Sequence, residues 1–304
     1  MNQALERIEF NLHTAASDDA SIITPKEAVR KARSLGQTAL AVTSLNSVQD
    51  YYELEKEQEK VDDGFRILYG VTVELEPVER IVLLARNRAG LRGIYEVVSS
   101  LHLQEGHKIA DRNMVEKHRK NLLCGSESRF GAVVAALRNE ANDEELIRLA
   151  SHYDYLELHP SQPPAYNKRL CKIAKVAGVP VVAVGNCHYL EPQEQICQEL
   201  TEPLRDRSMG GTQTHFRSTE EMMNIANNLA AAHFAHTHRC PQIRNAGADP
   251  AGFGHIIPTP KVIIILQIWR LLRPVHRLFL FSVDCPDSFV CSLKSSTCSY
   301  PFNG

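Results

Sequence analysis

Two short segments carry the same pattern of residues that could bind a metal ion. The segment FNLHT contains Asn11 and His13, and the segment GNCHYL contains Asn186 and His188. Alternate residues of a strand face the same side, so each Asn-x-His pair can share one site. Histidine binds zinc, manganese and iron, whereas asparagine is a poor metal ligand. Two interpretations stay open: a metal site, or two ordinary polar histidines that close the end of a barrel.

Short apolar segments that favour β-strands precede both pairs and recur between residues 7 and 204. Seven strands are predicted, at 7–13, 38–44, 66–75, 80–86, 121–126, 155–160 and 179–185. Amphipathic segments predict helices near 24–36, 47–60, 89–103, 130–138, 143–152 and 165–177. In the first helix Thr24 suits the N-cap, Pro25 suits the first turn, and Glu27 completes a capping box.

The alternation of strands and helices predicts an α/β fold with a parallel sheet, either open or closed into a barrel. In both arrangements ligands bind at the carboxyl ends of the strands. Six candidate site residues are expected near such ends: Asn11, His13, Ser44, Thr72, Asn186 and His188. The sequence therefore predicts one site assembled from several strand ends.

A series of motifs resembles the PHP domain, and in particular the one near the start of PolC-type bacterial DNA polymerase III alpha subunits. The motifs occur in the expected order over residues 7–222: IEFNLHTAAS, GQTALAVTSLNSVQD, ILYGVTVEL, RNRAGLRGIYEVVSSLHL, LLCGSESRFG, YDYLELHP, VPVVAVGNCHYLEPQEQI and HFRSTEEM. The resemblance implies a distorted seven-stranded β/α barrel with metal ions at the strand carboxyl ends. It also implies an association with DNA replication or, in stand-alone relatives, hydrolysis of phosphate esters.

Most of the metal ligands that this resemblance implies are replaced. The replacements are Asn11 for a histidine, Ser44 and Leu45 for Asp-His, Thr72 for a glutamate, Ser128 and Arg129 for Cys-Glu, and Asn186 for an aspartate. His13 and His188 match the pattern. A hydrolytic cluster needs carboxylates to hold its cations close together, and Arg129 would repel them if it points into the same pocket.

We therefore predict a site without catalytic residues. Its cofactor is either absent or a single weakly bound divalent ion, zinc or manganese, at His13 and His188 with Asn11 and Asn186. Neither a proofreading exonuclease nor a polymerase core is expected. The segment LEPVE (75–79) directly joins two parts between which many PolC-type chains carry the exonuclease, and the chain contains no Asp-x-Asp pair.

The composition changes towards the end of the chain. After residue 232 there are three aspartates and no glutamate, against seven Lys and Arg, and four of the eight cysteines. We predict a barrel domain over 1–222 and an atypical tail over 223–304 that is poorly ordered or foreign to the family. The apolar run 262–269 is shorter than the ~20 residues of a membrane span. The segment HFAHTHRC (233–240) superficially suits zinc but is not favoured as a ligand set.

The charges of the whole chain nearly cancel, with 34 Lys and Arg against 36 Asp and Glu. This balance indicates neither a nucleic-acid coat nor a membrane surface, although local contact with DNA stays open. Scattered cysteines and the absence of a signal peptide favour the cytoplasm. Replication proteins or DNA polymerase III subunits are the expected partners.

These patterns favour a degenerate PHP domain that acts as a non-catalytic structural or interaction module. Two alternatives stay open. One is a metal-dependent phosphoesterase of the PHP class, and the other is a non-functional fragment of a replicative polymerase gene.

Overall fold

The computed structural model describes residues 7–75, 79–104, 108–201, 213–222 and 224. Seven strands form one sheet: β1 (Glu9–Leu12), β2 (Ala39–Val42), β3 (Arg66–Leu75), β4 (Glu79–Ala85), β5 (Leu122–Ser126), β6 (Tyr155–Leu158) and β7 (Val181–Ala183). All seven predicted strands are confirmed, and each lies within a few residues of its predicted bounds. Apart from residue 224, the predicted tail lies outside the described residues, as does the segment 233–240 within it.

The strands follow one another across the sheet in chain order, from β1 to β7. The pairs β1–β2, β2–β3, β5–β6 and β6–β7 are parallel, whereas β4 is antiparallel to both β3 and β5. The prediction of a parallel sheet therefore fails at β4. Only residues 76–78 separate β3 from β4, which is too short for the crossover that a parallel pair requires.

Hydrogen bonds between the two ends of the sheet nearly close it into the predicted barrel. The amide N–H of His13 donates to the carbonyl of Cys187 at 2.9 Å, and that of Cys187 donates to the carbonyl of Asn11 at 2.8 Å. This closure joins β1 to the segment that follows β7. It also places the two Asn-x-His pairs side by side.

The helices with defined bounds are α1 (Pro25–Ser34), α2 (Tyr51–Glu59), α3 (Arg88–His102), α4 (Arg112–His118), α5 (Ala132–Arg138), α6 (Asp143–Ala150), α7 (Pro164–Ala177) and α8 (Gln195–Thr201). The capping box of α1 is confirmed, with Thr24 and Glu27 bonded reciprocally. The sequence analysis missed α4 and α8, which are only seven residues long. None of the described helices is long and apolar enough to cross a membrane.

A cluster of buried strand side chains fills the barrel beneath the strand carboxyl ends. It contains Ile8, Phe10, Ala39, Ala41, Leu84, Leu123, Tyr155, Val182 and Val184. Two further buried clusters pack the outer faces of the strands against the helices. The polar residues at the strand ends therefore rest on a filled apolar interior, which holds them in place.

Candidate functional site

The two predicted histidines meet face to face at the mouth of the barrel. The rings of His13 and His188 are stacked, with centroids 4.4 Å apart and planes 21° apart. Both side chains are buried. His13 follows β1 directly and His188 lies in the segment after β7, so the closure of the barrel brings them together.

Asp19, which the sequence analysis missed, faces both rings. Its Oδ2 lies 3.2 Å from Nδ1 of His13, and its Oδ1 lies 3.7 Å from Nδ1 of His188. The three residues offer ligand atoms within 4.8 Å of one another. Asp19 lies in the loop between β1 and α1, beside Asp18. Sequence gives no means of choosing between the two, but Asp18 pairs with Lys108 at 3.0 Å.

Asn11 and Asn186 form hydrogen bonds with the Nε2 atoms of the two rings. Oδ1 of Asn11 lies 2.9 Å from Nε2 of His13, and Oδ1 of Asn186 lies 3.1 Å from Nε2 of His188. All four residues that the sequence predicted are thus in one site. Asn186 has a φ of 46°, a left-handed backbone that asparagine tolerates better than most residues.

Sequence reasoning also missed two buried glutamates, which accept hydrogen bonds from the NH₂ groups of the two asparagines. The Nδ2 group of Asn11 donates to Oε2 of Glu157 at 2.8 Å, and that of Asn186 donates to Oε1 of Glu127 at 3.2 Å. Ser128 donates to both, through its amide to Glu157 and through its hydroxyl to Glu127, each at 3.2 Å. Glu127 also accepts from the amide of Phe130.

Two buried arginines add positive charge to the same mouth. Nη1 of Arg80 lies 3.9 Å from Oδ2 of Asp19, and its Nε pairs with Glu74 at 3.0 Å. The guanidinium groups of Arg80 and Arg129 lie 4.5 and 5.4 Å from the ring centre of Phe130. The charge of Arg129 also acts on His188 and Asp19. These cations disfavour a cluster of metal ions at the mouth.

The electrostatics of the site separate its groups into charged and neutral ones. Burial opposes ionisation of Asp19, yet the neighbouring His13 and His188 rings hold its pKa well below its usual range. Burial lowers the pKa of His188 well below its usual range, against the opposing effect of Asp19. Burial and the nearby Glu127 raise the pKa of Glu157 well above its usual range. His188 is therefore neutral at pH 7, and burial disfavours the charged form of Glu157.

Two further residues of the predicted site, Ser44 and Thr72, make no contact with the histidines that the structure records. The hydroxyl of Ser44 binds the amide and hydroxyl of Thr14 at 3.0 and 2.8 Å. The hydroxyl of Thr72 is buried and has no hydrogen-bond partner among the residues described.

His159 and Cys187 also lie near the mouth, but each contacts other parts of the protein. Nε2 of His159 lies 2.9 Å from the carbonyl of Gly185, and its Nδ1 accepts from the amide of Ser161 at 3.2 Å. Cys187 packs in an apolar cluster with Leu12 and Phe216. Burial raises the pKa of its thiol well above its usual range, which makes it a poor nucleophile at pH 7.

The residues at the mouth fit one metal ion but not a cluster. Both glutamates already accept hydrogen bonds from protein groups, and two arginines lie nearby. A cluster would need free carboxylates in their place. One ion fits between Asp19 and the two Nδ1 atoms, because Nδ1 of His188 is buried and no described residue gives it a hydrogen bond.

Fold and site together define a class of protein: a β/α barrel with candidate metal ligands at the carboxyl ends of its strands. The family model for the PHP domain matches residues 9–161, just over half of the 304 residues. The chain therefore belongs to the PHP domain family, and the resemblance seen in the sequence is confirmed.

The curated relatives of this chain include PolC-type DNA polymerase III proteins. The protein from Clostridium perfringens is 27% identical over 178 residues, which cover 52% of this chain and 12% of that protein. The protein from Bacillus subtilis is 30% identical over 168 residues, which cover 46% of this chain and 11% of that protein. The chain thus matches only about an eighth of the length of these polymerases.

The solved structures that are similar include a putative metal-dependent phosphoesterase from Bifidobacterium adolescentis. It is 15% identical, with a TM-score of 0.43, and the alignment covers 73% of this chain and 97% of that one.

Proposed function

We propose that this chain is a non-catalytic PHP module that serves a structural or interaction role in DNA replication. One observation carries the proposal: the carboxylates behind the site are bound by amides of the protein itself. Glu157 accepts from Asn11 and Ser128, and Glu127 accepts from Asn186 and Ser128. Carboxylate oxygens that accept these hydrogen bonds are less available to bridge metal ions.

The charges at the mouth support the same conclusion. In the described part of the mouth, Asp19 is the one carboxylate in contact with both imidazoles. Arg80 lies 3.9 Å from it. A cluster of two or three divalent cations would therefore find one carboxylate in contact with the imidazoles and a guanidinium group beside that carboxylate. Hydrolysis that depends on such a cluster is not expected.

The proposed binding partner is suggested by the proteins that this chain resembles. They are PolC-type DNA polymerase III proteins, and this chain matches about an eighth of their length. A barrel without its own hydrolytic chemistry can still present a rigid surface to a polymerase. We therefore expect its partner to be a DNA polymerase III protein or another replication protein, in the cytoplasm.

Hydrolysis of bis(p-nitrophenyl) phosphate by the full chain with excess manganese tests the non-catalytic part of the proposal. We expect a rate equal to that of the Asp19→Asn variant, because neither protein holds a cluster. Manganese-dependent turnover that Asp19→Asn abolishes would refute the proposal and establish the phosphoesterase alternative.

Complex formation with the PolC-type DNA polymerase III of Bacillus subtilis tests the interaction part. Analytical ultracentrifugation of the two purified proteins at micromolar concentration is expected to show a new, faster species. A mixture that sediments as two separate proteins at every concentration would contradict this part of the proposal.

A further inference from the structure

Three tyrosines form a cluster on the outer, helix-covered side of the barrel. Tyr51 lies in α2, Tyr69 in β3 and Tyr95 in α3. The ring centre of Tyr51 lies 4.9 Å from that of Tyr69 and 6.0 Å from that of Tyr95. Tyr51 is buried, and its hydroxyl donates a hydrogen bond to the carbonyl of Gly70 at 2.7 Å. This fixed ring supports the two rings that pack against it.

The other two rings of the tyrosine cluster reach the surface. Tyr95 is 43% exposed, and Tyr69 is half-buried. Tyrosine is enriched in protein–protein interfaces, because its rigid ring buries a large area and its hydroxyl can form a hydrogen bond. Two partly exposed tyrosines on one supporting ring are therefore suited to contact a partner.

Two carboxylates of α2 lie beside this exposed surface. Tyr51, Glu55 and Glu59 follow one another at intervals of four residues, so they share one side of the helix. Burial raises the pKa of Tyr69, and the charges of Glu55 and Glu59 raise it further. Burial also raises the pKa of Tyr95, and the charge of Glu55 again acts in the same direction. The carboxylates are therefore close to both exposed rings.

Glu55 and Glu59 have no cation partner in the part of the chain that the structure describes. Each of the other two glutamates of α2 pairs with the lysine that follows it by three residues. Over residues 50–63, seven acidic residues stand against two lysines. The side of α2 next to the tyrosine cluster therefore carries negative charge that the described residues do not compensate.

We propose that the exposed rings of the tyrosine cluster, together with Glu55 and Glu59, bind an arginine in a basic segment of a partner protein. A guanidinium group stacks on an aromatic ring and can donate to a carboxylate at the same time. Lysine suits the site less, because its compact ammonium group is strongly hydrated and cannot stack. A nucleic acid suits it least, because both carboxylates repel phosphate groups.

This inference goes beyond the proposed function, because it assigns an interaction surface on the outside of the barrel. It depends neither on the chemistry at the mouth nor on the DNA polymerase III proteins. Failure of the chain to bind a polymerase would leave it standing, and its own failure would leave the mouth without catalytic residues.

Titration calorimetry of the full chain with a synthetic arginine peptide, acetyl-GSRGSRGSRG-amide, tests the docking site. The matched control is the lysine peptide acetyl-GSKGSKGSKG-amide, which has the same charge. We expect the arginine peptide to bind at least about threefold more tightly than the lysine peptide. Equal affinity for the two peptides, or no binding of the arginine peptide, would overturn the proposal.

Substitutions on α2 and α3 test which side chains hold the peptide. Glu55→Gln and Tyr95→Ala should each weaken binding of the arginine peptide by about 3- to 10-fold. Glu53→Gln and Tyr52→Ala are the matched controls, because Lys56 pairs with Glu53 and lies 4.0 Å from the ring centre of Tyr52. Their affinity should be unchanged. Equal losses in the site and control variants would mean that the charge of α2 as a whole attracts the peptide, which would overturn the proposal.

Aromatic resonances of the unmodified chain locate the peptide without any substitution. Those of Tyr69 and Tyr95 should shift when the arginine peptide is added, whereas those of the buried Tyr155 inside the barrel should not. Unchanged resonances would overturn the proposal, including the case in which the chain's own basic residues after 232 occupy the site. Shifts of the same resonances by a single-stranded DNA oligonucleotide, and not by the peptide, would also overturn it.

Discussion

At the scale of single residues, asparagine does what neither a charged ligand nor an apolar residue can do. Its amide donates on one side and accepts on the other, so it can connect a buried carboxyl group to an imidazole. Asn11 does this between Glu157 and His13, and Asn186 does it between Glu127 and His188. The two replacements therefore form a satisfied polar network in place of ligands for further cations.

The two glutamates of this network should respond differently to substitution by glutamine. Glu157→Gln should change the free energy of unfolding at pH 7 by less than about 1 kcal/mol, because burial disfavours the charge of Glu157 and Oε1 receives no hydrogen bond from any described group. Glu127→Gln should cost about 1–3 kcal/mol, because both its oxygens accept hydrogen bonds and an NH₂ group would face a donor. Urea unfolding of both variants checks this, and equal costs would contradict the assignment.

His159 should make the protein less stable in mild acid. Burial lowers its pKa to about 3, so the unfolded chain takes up a proton near pH 6.5 while the folded chain does not. Stability is therefore lost as the pH falls from about 6.5 towards 3. Between pH 7 and 5 this histidine alone accounts for a loss of about 2 kcal/mol.

Comparison with His159→Gln isolates this effect. His188 acts in the same direction as His159, and Glu157, whose pKa is raised, acts in the opposite direction, but both groups are present in the two proteins. Urea unfolding at pH 7 and pH 5 should show a smaller loss for the variant, by about 2 kcal/mol. Equal losses would show that His159 takes up its proton normally in the folded state.

Sequence reasoning could find the histidines and amides but not their partners. Alternation along a strand predicts that Asn11 and His13 share a side, and the same holds for Asn186 and His188. Asp19 could not be found in this way, because its position depends on the path of a loop. Glu127 and Glu157 look like ordinary strand-end residues until the barrel places them behind the amides.

At the scale of elements, the strands could be predicted because each is a short apolar run bounded by polar residues. The direction of β4 could not, since it follows from the short connection after β3 and not from its composition. The helices α4 and α8 were not predicted, although α5, which is equally short at seven residues, was.

The start of α1 should be sensitive to the loss of its cap. Thr24 accepts a hydrogen bond from the amide of Glu27, and the Glu27 side chain accepts one from the amide of Thr24. Thr24→Ala should lower the free energy of unfolding by about 1 kcal/mol, and Thr24→Ser should change it little. Urea unfolding of the two variants checks this, and an equal loss in both would argue against the cap.

The end of α7 should be sensitive to any side chain at Gly178. This residue has a φ of 71°, and a Cβ atom there would have no neighbour within 4 Å. Gly178→Ala should therefore cost about 1 kcal/mol through its backbone conformation alone, and Gly178→Asn should cost less. A thermal unfolding series reports both costs; a stabilised alanine variant would contradict the left-handed cap.

At the scale of the whole molecule, the barrel of a PHP domain is retained while the carboxylates behind its mouth bind protein amides. The apolar interior and the closure between β1 and the segment after β7 keep the mouth rigid. A rigid barrel of this kind can be retained because its surface binds another protein. The match to PolC-type DNA polymerase III proteins is what supports the proposed interaction role.

The number of metal ions that one folded chain binds at saturation tests this account most directly. Equilibrium dialysis of the full chain against excess Zn²⁺ or Mn²⁺, followed by elemental analysis, counts the bound ions. The account predicts one ion per chain, bound at His13, Asp19 and His188. Two or more ions at the mouth would contradict it, because a hydrolytic cluster would then be present, and none would refute the single site.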